Sequence, residues 1–225
     1  IVWLLGITNA MNFFDGMDGL ATGLSILTAL FLAVVAVQTT QPFLGWVAAA
    51  VVGSCAGFLP YNFRPRRPAA IFLGDAGSTF LGFTLAALAV KGEWAESGVV
   101  DLAAPILIFW IFIFDMTYIT GARIVTGRVR AFHDWIAYVG RDHLHHRLST
   151  LPKSDRKSVL LIFLLSAAVG LAAVALRNAR SVDALVLVLQ AVVIAVIFSI
   201  LEHANQGPRE RRKEGERGTA GGASD

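Results

Sequence analysis

Charged residues are scarce in this chain, and cysteine is almost absent. Of its 225 residues only 16% are Asp, Glu, Lys or Arg, whereas soluble domains carry about 25%. The one cysteine, Cys55, has no second cysteine to pair with, which excludes an internal disulfide framework. Because 56% of the residues are hydrophobic and the mean hydropathy is +0.64, the composition also excludes an ordinary soluble enzyme, a secreted all-β domain and a disordered chain.

The beginning of the chain lacks the usual start signals. Residue 1 is Ile, and neither an initiating Met nor a signal-peptide cleavage site precedes the first apolar stretch, residues 1–14. As a helix this stretch is about 21 Å long, which is too short for a hydrocarbon core of about 30 Å. We therefore expect a truncated helix here and a natural protein that continues upstream, so that this chain is a C-terminal portion.

Six further apolar stretches are long enough to cross a membrane. They are residues 20–38, 43–59, 69–90, 99–121, 158–176 and 184–201. The predicted fold is all-α, a polytopic integral membrane bundle of about six full transmembrane helices plus the truncated one. We assign residues 1–201 to this transmembrane domain, and we expect the charged, Gly-rich residues 202–225 to form a disordered cytoplasmic tail.

The Lys and Arg residues predict the orientation of the bundle. If the six spans alternate, one side receives segments 60–68 and 122–157 and the tail, which hold 16 of the 19 basic residues. By the positive-inside rule that side is cytoplasmic. We expect the protein to lie in the inner (cytoplasmic) membrane. The net charge of +3 is therefore a signal of topology and predicts contact with membrane lipids rather than with nucleic acid.

A first cluster of polar residues lies at the predicted cytoplasmic boundary. Asn9 and Asn12 are three residues apart and share a helix face; Asp15 and Asp18 follow, each with a glycine directly after it. Paired carboxylates beside flexible backbone suit a divalent cation or a ribose and base edge. A turn that ends a helix would use the same residue types, but four such side chains within ten residues favour a binding site.

A second cluster, residues 72–78, opens the span that enters from the cytoplasm. Asp75 can cap this helix, and Gly74 and Gly77 allow a ligand to approach the backbone. A helix N-terminus favours phosphate, whereas a carboxylate repels it unless a cation intervenes. The cluster therefore predicts Mg²⁺ between Asp75 and a diphosphate, with a plain helix cap as the alternative.

A third cluster lies in the largest cytoplasmic loop and consists of His143, His145, His146 and Arg147. Imidazoles and arginine hold polyanions by charge and hydrogen bonds. A zinc site is the second interpretation, because His is a common zinc ligand, but no Cys is near and adjacent histidines converge poorly on one ion. A solvated polar loop is the third interpretation. Asp115, in an apolar run, is either a partner of the site or a structural carboxylate.

These motifs, in this order, resemble one known family. Residues 9–20 read N-x-x-N-x-x-D-G-x-D-G-L, residues 72–78 read F-x-G-D-x-G-S, and residues 143–146 read H-x-H-H. All three resemble signatures of the polyprenyl-phosphate N-acetylhexosamine-1-phosphate transferases, and the resemblance extends from the start of the chain to about residue 201. Because each motif lies on the predicted cytoplasmic face, the resemblance is specific.

The resemblance implies an activity and a cofactor. In the family a polyprenyl phosphate, such as undecaprenyl phosphate, attacks the β-phosphate of a UDP-amino sugar, which gives a polyprenyl-diphospho-sugar and UMP. This is the first membrane step of a cell-envelope glycan, and it requires Mg²⁺, for which Mn²⁺ can stand in. The family also has an Asp-Asp motif in an earlier cytoplasmic loop, which nothing before Asn9 supplies.

The resemblance also implies roles for individual residues. The implied catalytic residues are Asp15, Asp18, Asp75, His143, His145 and His146, of which Asp15 and Asp75 also ligate the metal. The implied substrate-binding residues are Asn9, Asn12, Asn62, Phe72 and Arg147, with Phe72 stacking on uracil. For Asn62 the match is looser, because the arginine-rich stretch of residues 64–67 adds a few residues relative to the family pattern at that point.

Several interpretations stay open at this point. The branch that transfers phospho-MurNAc-pentapeptide has three consecutive histidines, whereas His143-Leu144-His145-His146 resembles the branch that uses GlcNAc. A non-catalytic truncated homologue would share every motif. A transporter would spread its polar groups through the membrane midplane, whereas here they crowd the cytoplasmic ends. The sequence leaves the oligomeric state, including a homodimer, undecided.

Overall fold

A computed structural model of the chain describes residues 1–64, 67–125, 155–176 and 179–220. Within these ranges every regular element is a helix. The helices are α1 (Val2–Phe14), α2 (Leu20–Gln38), α3 (Pro42–Asn62), α4 (Gly74–Lys91), α5 (Gly98–Ile108), α6 (Trp110–Val125), α7 (Asp155–Ala175) and α8 (Ser181–Ala220). The predicted all-α class of a multi-pass membrane protein is confirmed.

The number of full spans differs from the prediction. In the described part of the chain, four helices (α2, α3, α7 and α8) are long and apolar enough to cross a membrane, and the pair α5 and α6 makes a fifth if it is counted as one span. The predicted span 69–90 is helical only from Gly74, and it carries Asp75 in its first turn and Lys91 in its last. The predicted start at residue 69 is therefore corrected, because residues 69–73 are held in a non-helical segment.

The predicted span 99–121 is also corrected, because it is broken. Helices α5 and α6 meet at Phe109 with a bend of 78°. Phe109 is fully buried and packs edge-on against Trp3 of α1 with ring centroids 5.3 Å apart. The apolar run reads as one helix in the sequence, but the structure breaks it at Phe109, the residue that contacts α1.

Helix α2 is central in the bundle. About two thirds of its apolar span is buried inside the bundle, and it packs against both α3 and α7. A Cβ on Gly23 would lie 2.1 Å from Cζ of Phe163 in α7. This glycine therefore lets the two helices approach closely, and α2 becomes a rigid support for the loops at its ends.

Helices α1 and α4 lie antiparallel. Trp3 near the start of α1 donates to the carbonyl of Ala86 near the end of α4 at 3.2 Å, while Asn12 near the end of α1 reaches Ser78 near the start of α4 at 2.9 Å. The end of α1 and the start of α4 therefore meet. Thr22 of α2 bonds to the last residue of α3, and the α3–α4 connection bonds to Asp18 just before α2 and to Arg156 of α7. The starts of α2 and α7 therefore lie at the same end of the bundle, which we call the site end.

Helix α8 continues to Ala220, through the segment for which the sequence predicts a disordered tail. Its membrane-spanning part is residues 181–200. The division of the chain into a transmembrane domain ending at residue 201 and a separate tail stays a prediction.

Candidate active site at one end of the bundle

The first group of site residues joins α1 to α4. The Asn12 side-chain nitrogen donates to Asp75 Oδ1 at 3.0 Å and to Ser78 Oγ at 2.9 Å, and Ser78 Oγ donates in turn to the Gly74 carbonyl at 2.9 Å. Both hydrogens of the carboxamide are thereby used. Within the described ranges, Asn12 Oδ1 and Asp75 Oδ2 make no hydrogen bond, so two oxygen acceptors remain for a ligand.

A glycine makes this juxtaposition possible. A Cβ on Gly82 of α4 would lie 2.9 Å from both Cα of Thr8 and Cβ of Met11 in α1. Any larger residue would therefore force α1 away from α4. Because Asn12 follows one residue after Met11, such a displacement would also move its side chain away from Asp75.

Asp15 follows directly on α1 and lies beside the start of α4. The pKa of its carboxyl group is raised from the ordinary 3.8 to about 6, mainly because the group is partly buried; a hydrogen bond from the Gly74 backbone N–H lowers it in part, and the nearby charge of Asp75 adds a smaller rise. Asp15 is thus a partly buried carboxyl group that lies close enough to Asp75 to be affected by its charge. This arrangement favours a proton or a cation between them.

The chemistry of these donors fits a hard divalent cation. Asp15, Asp75 and the Asn12 carboxamide offer oxygen only, and Mg²⁺ binds through one or two carboxylates while it keeps waters and takes substrate phosphates. No group of three or more His, Cys, Asp or Glu side chains that could enclose a metal occurs in the part of the chain that the structure describes. The donor set therefore matches a cation shared with a phosphate rather than one fully enclosed by protein.

Asp18 is close to Asp15 in sequence but has a different partner. Its Oδ2 accepts a hydrogen bond from the Ala69 N–H at 2.8 Å. It therefore fastens the α3–α4 connection to the start of α2. Its catalytic role stays a prediction.

Asn62 is buried at the end of α3, with 1% of its surface exposed. Its Oδ1 accepts from the Thr22 hydroxyl at 2.7 Å, and its Nδ2 donates to the Ile71 carbonyl at 2.9 Å. Thr22 was not among the predicted site residues. The available signal was a hydroxyl two residues after the N-x-x-N-x-x-D-G-x-D-G-L stretch.

The other predicted residues are placed less closely. Phe72 is 63% exposed at the site end, three residues before Asp75. Asn9 is exposed, and its side chain forms no hydrogen bond with a described residue. Asp115 is buried in α6, and both of its predicted roles stay open. The remaining candidates lie outside the described residues: His143, His145, His146 and Arg147.

Comparison of the sequence with known proteins relates the residues of this site to one family. A sequence profile described as Glycosyl transferase family 4 matches residues 1–93, the part of the chain that holds Asn12, Asp15 and Asp75. A Bacillus subtilis (strain 168) protein named probable undecaprenyl-phosphate N-acetylglucosaminyl 1-phosphate transferase is 36% identical over 179 residues, which are 80% of this chain and 48% of that protein.

Two further relatives extend the comparison. A Mycobacterium tuberculosis (strain CDC 1551 / Oshkosh) protein named decaprenyl-phosphate N-acetylglucosaminephosphotransferase is 31% identical over 222 residues, 90% of this chain and 53% of that protein. A Desulforamulus reducens phospho-N-acetylmuramoyl-pentapeptide-transferase is 51% identical over 87 residues, but these are 39% of this chain and 25% of that protein. The chain spans about half the length of the first two relatives. On the profile match, the relatives and the motifs together, residues 1–93 of the chain match glycosyl transferase family 4.

Proposed function

We propose that the protein transfers GlcNAc-1-phosphate, or a related amino-sugar-1-phosphate, from a UDP-sugar to polyprenyl phosphate and releases UMP. The observation that carries the proposal is the cluster of Asn12, Asp15 and Asp75 at the site end, within the residues that match the family. The names of the two relatives that this chain matches over most of its length support GlcNAc as the sugar.

The chemistry of the cluster supports phosphoryl transfer. Such reactions need positioning and charge neutralisation more than covalent help from the protein. Asp15 and Asp75 would hold Mg²⁺, or Mn²⁺ in its place, and the bound ion would neutralise charge on the diphosphate of the donor. Asn12 occupies one oxygen of Asp75 and the Gly74 N–H bonds to Asp15, so the protein orients both carboxylates before a ligand arrives.

The surroundings support a lipid acceptor. An apolar groove of about 530 Å³ runs between α1 and α6 and is lined by Trp3, Ile7, Phe112 and Met116 among others, which suits a polyprenyl chain. The basic residues of the sequence favour a cytoplasmic site end in the inner membrane. We further propose that His143, His145, His146 and Arg147 contact the phosphates or the sugar from the cytoplasmic loop.

Phospho-MurNAc-pentapeptide transfer is the second candidate, because the Desulforamulus reducens relative is 51% identical over the residues that align. The third is a non-catalytic homologue that serves as a scaffold. A transporter is the weakest candidate, since the described polar cluster lies at the end of the bundle rather than at its midplane.

The test is a transfer assay with purified protein in detergent. We would follow labelled sugar phosphate from UDP-GlcNAc, or from UDP-MurNAc-pentapeptide, to polyprenyl phosphate with Mg²⁺ and with EDTA. This chain would be run beside the protein at its natural length. Transfer from UDP-GlcNAc that EDTA abolishes supports the proposal, transfer only from the pentapeptide donor supports the second candidate, and no transfer from any UDP-sugar supports the scaffold.

Two variants sharpen the assay. Asp75→Asn should abolish transfer and leave the bundle folded, because Asn can still accept the hydrogen bond from Asn12 but cannot hold a cation as well. Asp183→Asn makes the same chemical change at an exposed residue in the first turn of α8 and should leave activity unchanged. Wild-type activity of the Asp75 variant would remove that residue from the site.

A further inference from the structure

We infer that Thr22 is a positioning residue of the proposed transferase: through Asn62 it holds the segment that presents Phe72, and it thereby sets the affinity for the UDP-sugar. The inference rests on the proposed function. It concerns a residue of α2 that points into the protein, since Thr22 is fully buried and touches no ligand itself.

The first step is the fastening of the α3–α4 connection. Residues 69–71 of this connection take part in three hydrogen bonds. The Ala70 N–H donates to the Tyr61 carbonyl at 2.8 Å, the Ala69 N–H donates to Asp18 Oδ2 at 2.8 Å, and Asn62 donates to the Ile71 carbonyl at 2.9 Å. Residues 69–71 are therefore bound to the end of α3 and to the connection before α2, which explains why they do not join helix α4.

The second step is the orientation of the Asn62 carboxamide. The Ile71 carbonyl can only accept, so the Nδ2 of Asn62 must face it, and Oδ1 must face Thr22. The Thr22 hydroxyl donates to that oxygen at 2.7 Å. Without this donor a buried carbonyl oxygen would lose its partner, and a buried unpaired polar atom is costly. Thr22 therefore stabilises the orientation in which Asn62 holds Ile71.

The third step is a close contact at the start of the connection. Gly19 has a φ of +76°, and a Cβ there would lie 2.5 Å from Cβ of Phe63. The beginning of the connection thus packs against the start of α2, and its middle is held by Asp18 and by Thr22 through Asn62. The first turn of α2 and the residues before it therefore contact the connection at its start and near its middle.

The last step leads to the ligand. Ile71 is 44% exposed and Phe72 is 63% exposed. Asp75, one of the two carboxylates proposed to hold the cation, follows three residues after Phe72. An aromatic face held beside a diphosphate site suits a nucleobase, because base–aromatic stacking contributes about 1–3 kcal/mol per base. The competing explanation is that Phe72 anchors the loop in the lipid headgroup region, as aromatic residues do at membrane boundaries.

The experiment compares three variants of the natural-length protein. Thr22→Val keeps the shape and removes the hydrogen bond, and Thr22→Ser keeps the hydroxyl. Thr28→Val is the matched control, because Thr28 is also fully buried in α2 and its hydroxyl has no hydrogen-bond partner among the described residues. For each we would measure kcat, the KM for UDP-GlcNAc and the KM for polyprenyl phosphate.

We expect Thr22→Val to raise the KM for UDP-GlcNAc by about tenfold, the size of a lost buried hydrogen bond, with kcat and the KM for the lipid nearly unchanged. Thr22→Ser and Thr28→Val should stay within about twofold of the wild type. If Thr22→Val does not fold, Thr22→Cys, which keeps a weak donor, should give an intermediate rise.

Three results would overturn the inference. An unchanged KM for UDP-GlcNAc in the Thr22→Val and Thr22→Cys variants, with an active wild type, would refute it and leave the proposed function intact. A rise only in the KM for polyprenyl phosphate would assign Phe72 to lipid anchoring. A wild type that is inactive with every UDP-sugar would refute the proposed function and this inference with it.

Discussion

Replacing Asp15 by Asn should stabilise the protein in the absence of a divalent cation while abolishing transfer. The rise of its pKa from 3.8 to about 6 means that the folded protein carries a poorly compensated carboxylate at neutral pH. That rise corresponds to at most about 3 kcal/mol. Because Asp15 is only partly buried, water screens part of this cost, and we expect a gain in the free energy of unfolding of about 1–2 kcal/mol.

The pH dependence follows from the direction of the pKa change. Between pH 3.8 and about 6 the folded protein keeps a proton that the unfolded chain releases. The free energy of unfolding of the wild type therefore falls as pH rises through this window, and the loss is complete above it. The Asp15→Asn variant has no such titration, so its advantage should be small at the acid end and largest at neutral pH.

The assay is thermal unfolding in detergent with EDTA between pH 4.5 and 7.5, followed by tryptophan fluorescence. Adding Mg²⁺ at pH 7.5 should make the thermal midpoint of the wild type higher than that of the variant. A ligand that binds only the folded state stabilises it, and the variant has lost a carboxylate that would bind the ion. The reasoning is refuted if Asp15→Asn lowers the midpoint at pH 7.5 in EDTA, or if its advantage does not shrink toward pH 4.5. Stabilisation of wild type and variant alike by Mg²⁺ would remove Asp15 from the cation site.

Three further predictions test the packing and the loop. Gly82→Ala should lower the free energy of unfolding by about 1–3 kcal/mol, because the new methyl group would clash with α1, whereas Gly57→Ala, which faces open space in α3, should not lower it, because a helix interior favours Ala over Gly by up to about 1 kcal/mol; chemical denaturation would compare the two. Thr28→Val should raise stability by about 1 kcal/mol, since it removes a buried hydroxyl that lacks a described partner, and a lower thermal midpoint would contradict this. His145→Ala should reduce turnover by much more than it changes expression, and unchanged kinetics would make the histidine loop a surface feature.

The sequence predicts the helices well where apolar length alone decides. Helix α2 spans the predicted residues 20–38, and α3 (Pro42–Asn62) starts one residue before the predicted span 43–59 and ends three residues after it. The predictions are wrong where distant side chains decide: residues 69–73 are apolar enough to continue a helix but are held by Asp18 and Asn62. The bend at Phe109 lies where this residue packs against Trp3, about a hundred residues earlier, a contact that no local pattern reveals.

The same distinction applies to the site. Carboxylates and carboxamides at a membrane boundary are conspicuous in a sequence, so Asn12, Asp15 and Asp75 stood out, but in two separate clusters. Only the family resemblance implied that they share one site, and the structure brings them close together. Thr22 was missed because a hydroxyl within an apolar helix carries no charge and is common in membrane spans. Its importance depends on a partner 40 residues away, which only the packing of α2 on α3 supplies.

The two aspartates of the D-G-x-D-G stretch are three residues apart, yet they hold opposite ends of one segment. Asp15 accepts from the backbone N–H of Gly74, and Asp18 accepts from that of Ala69. Phe72 lies between these two points. A cation that binds at Asp15 would therefore contact the residue that also holds one end of the segment carrying Phe72. The diphosphate and the nucleobase of a donor would then bind to the two ends of one connected segment. It follows that Asp18→Asn should weaken the binding of UDP-GlcNAc and of Mg²⁺ together, whereas two independent subsites would lose only one of them.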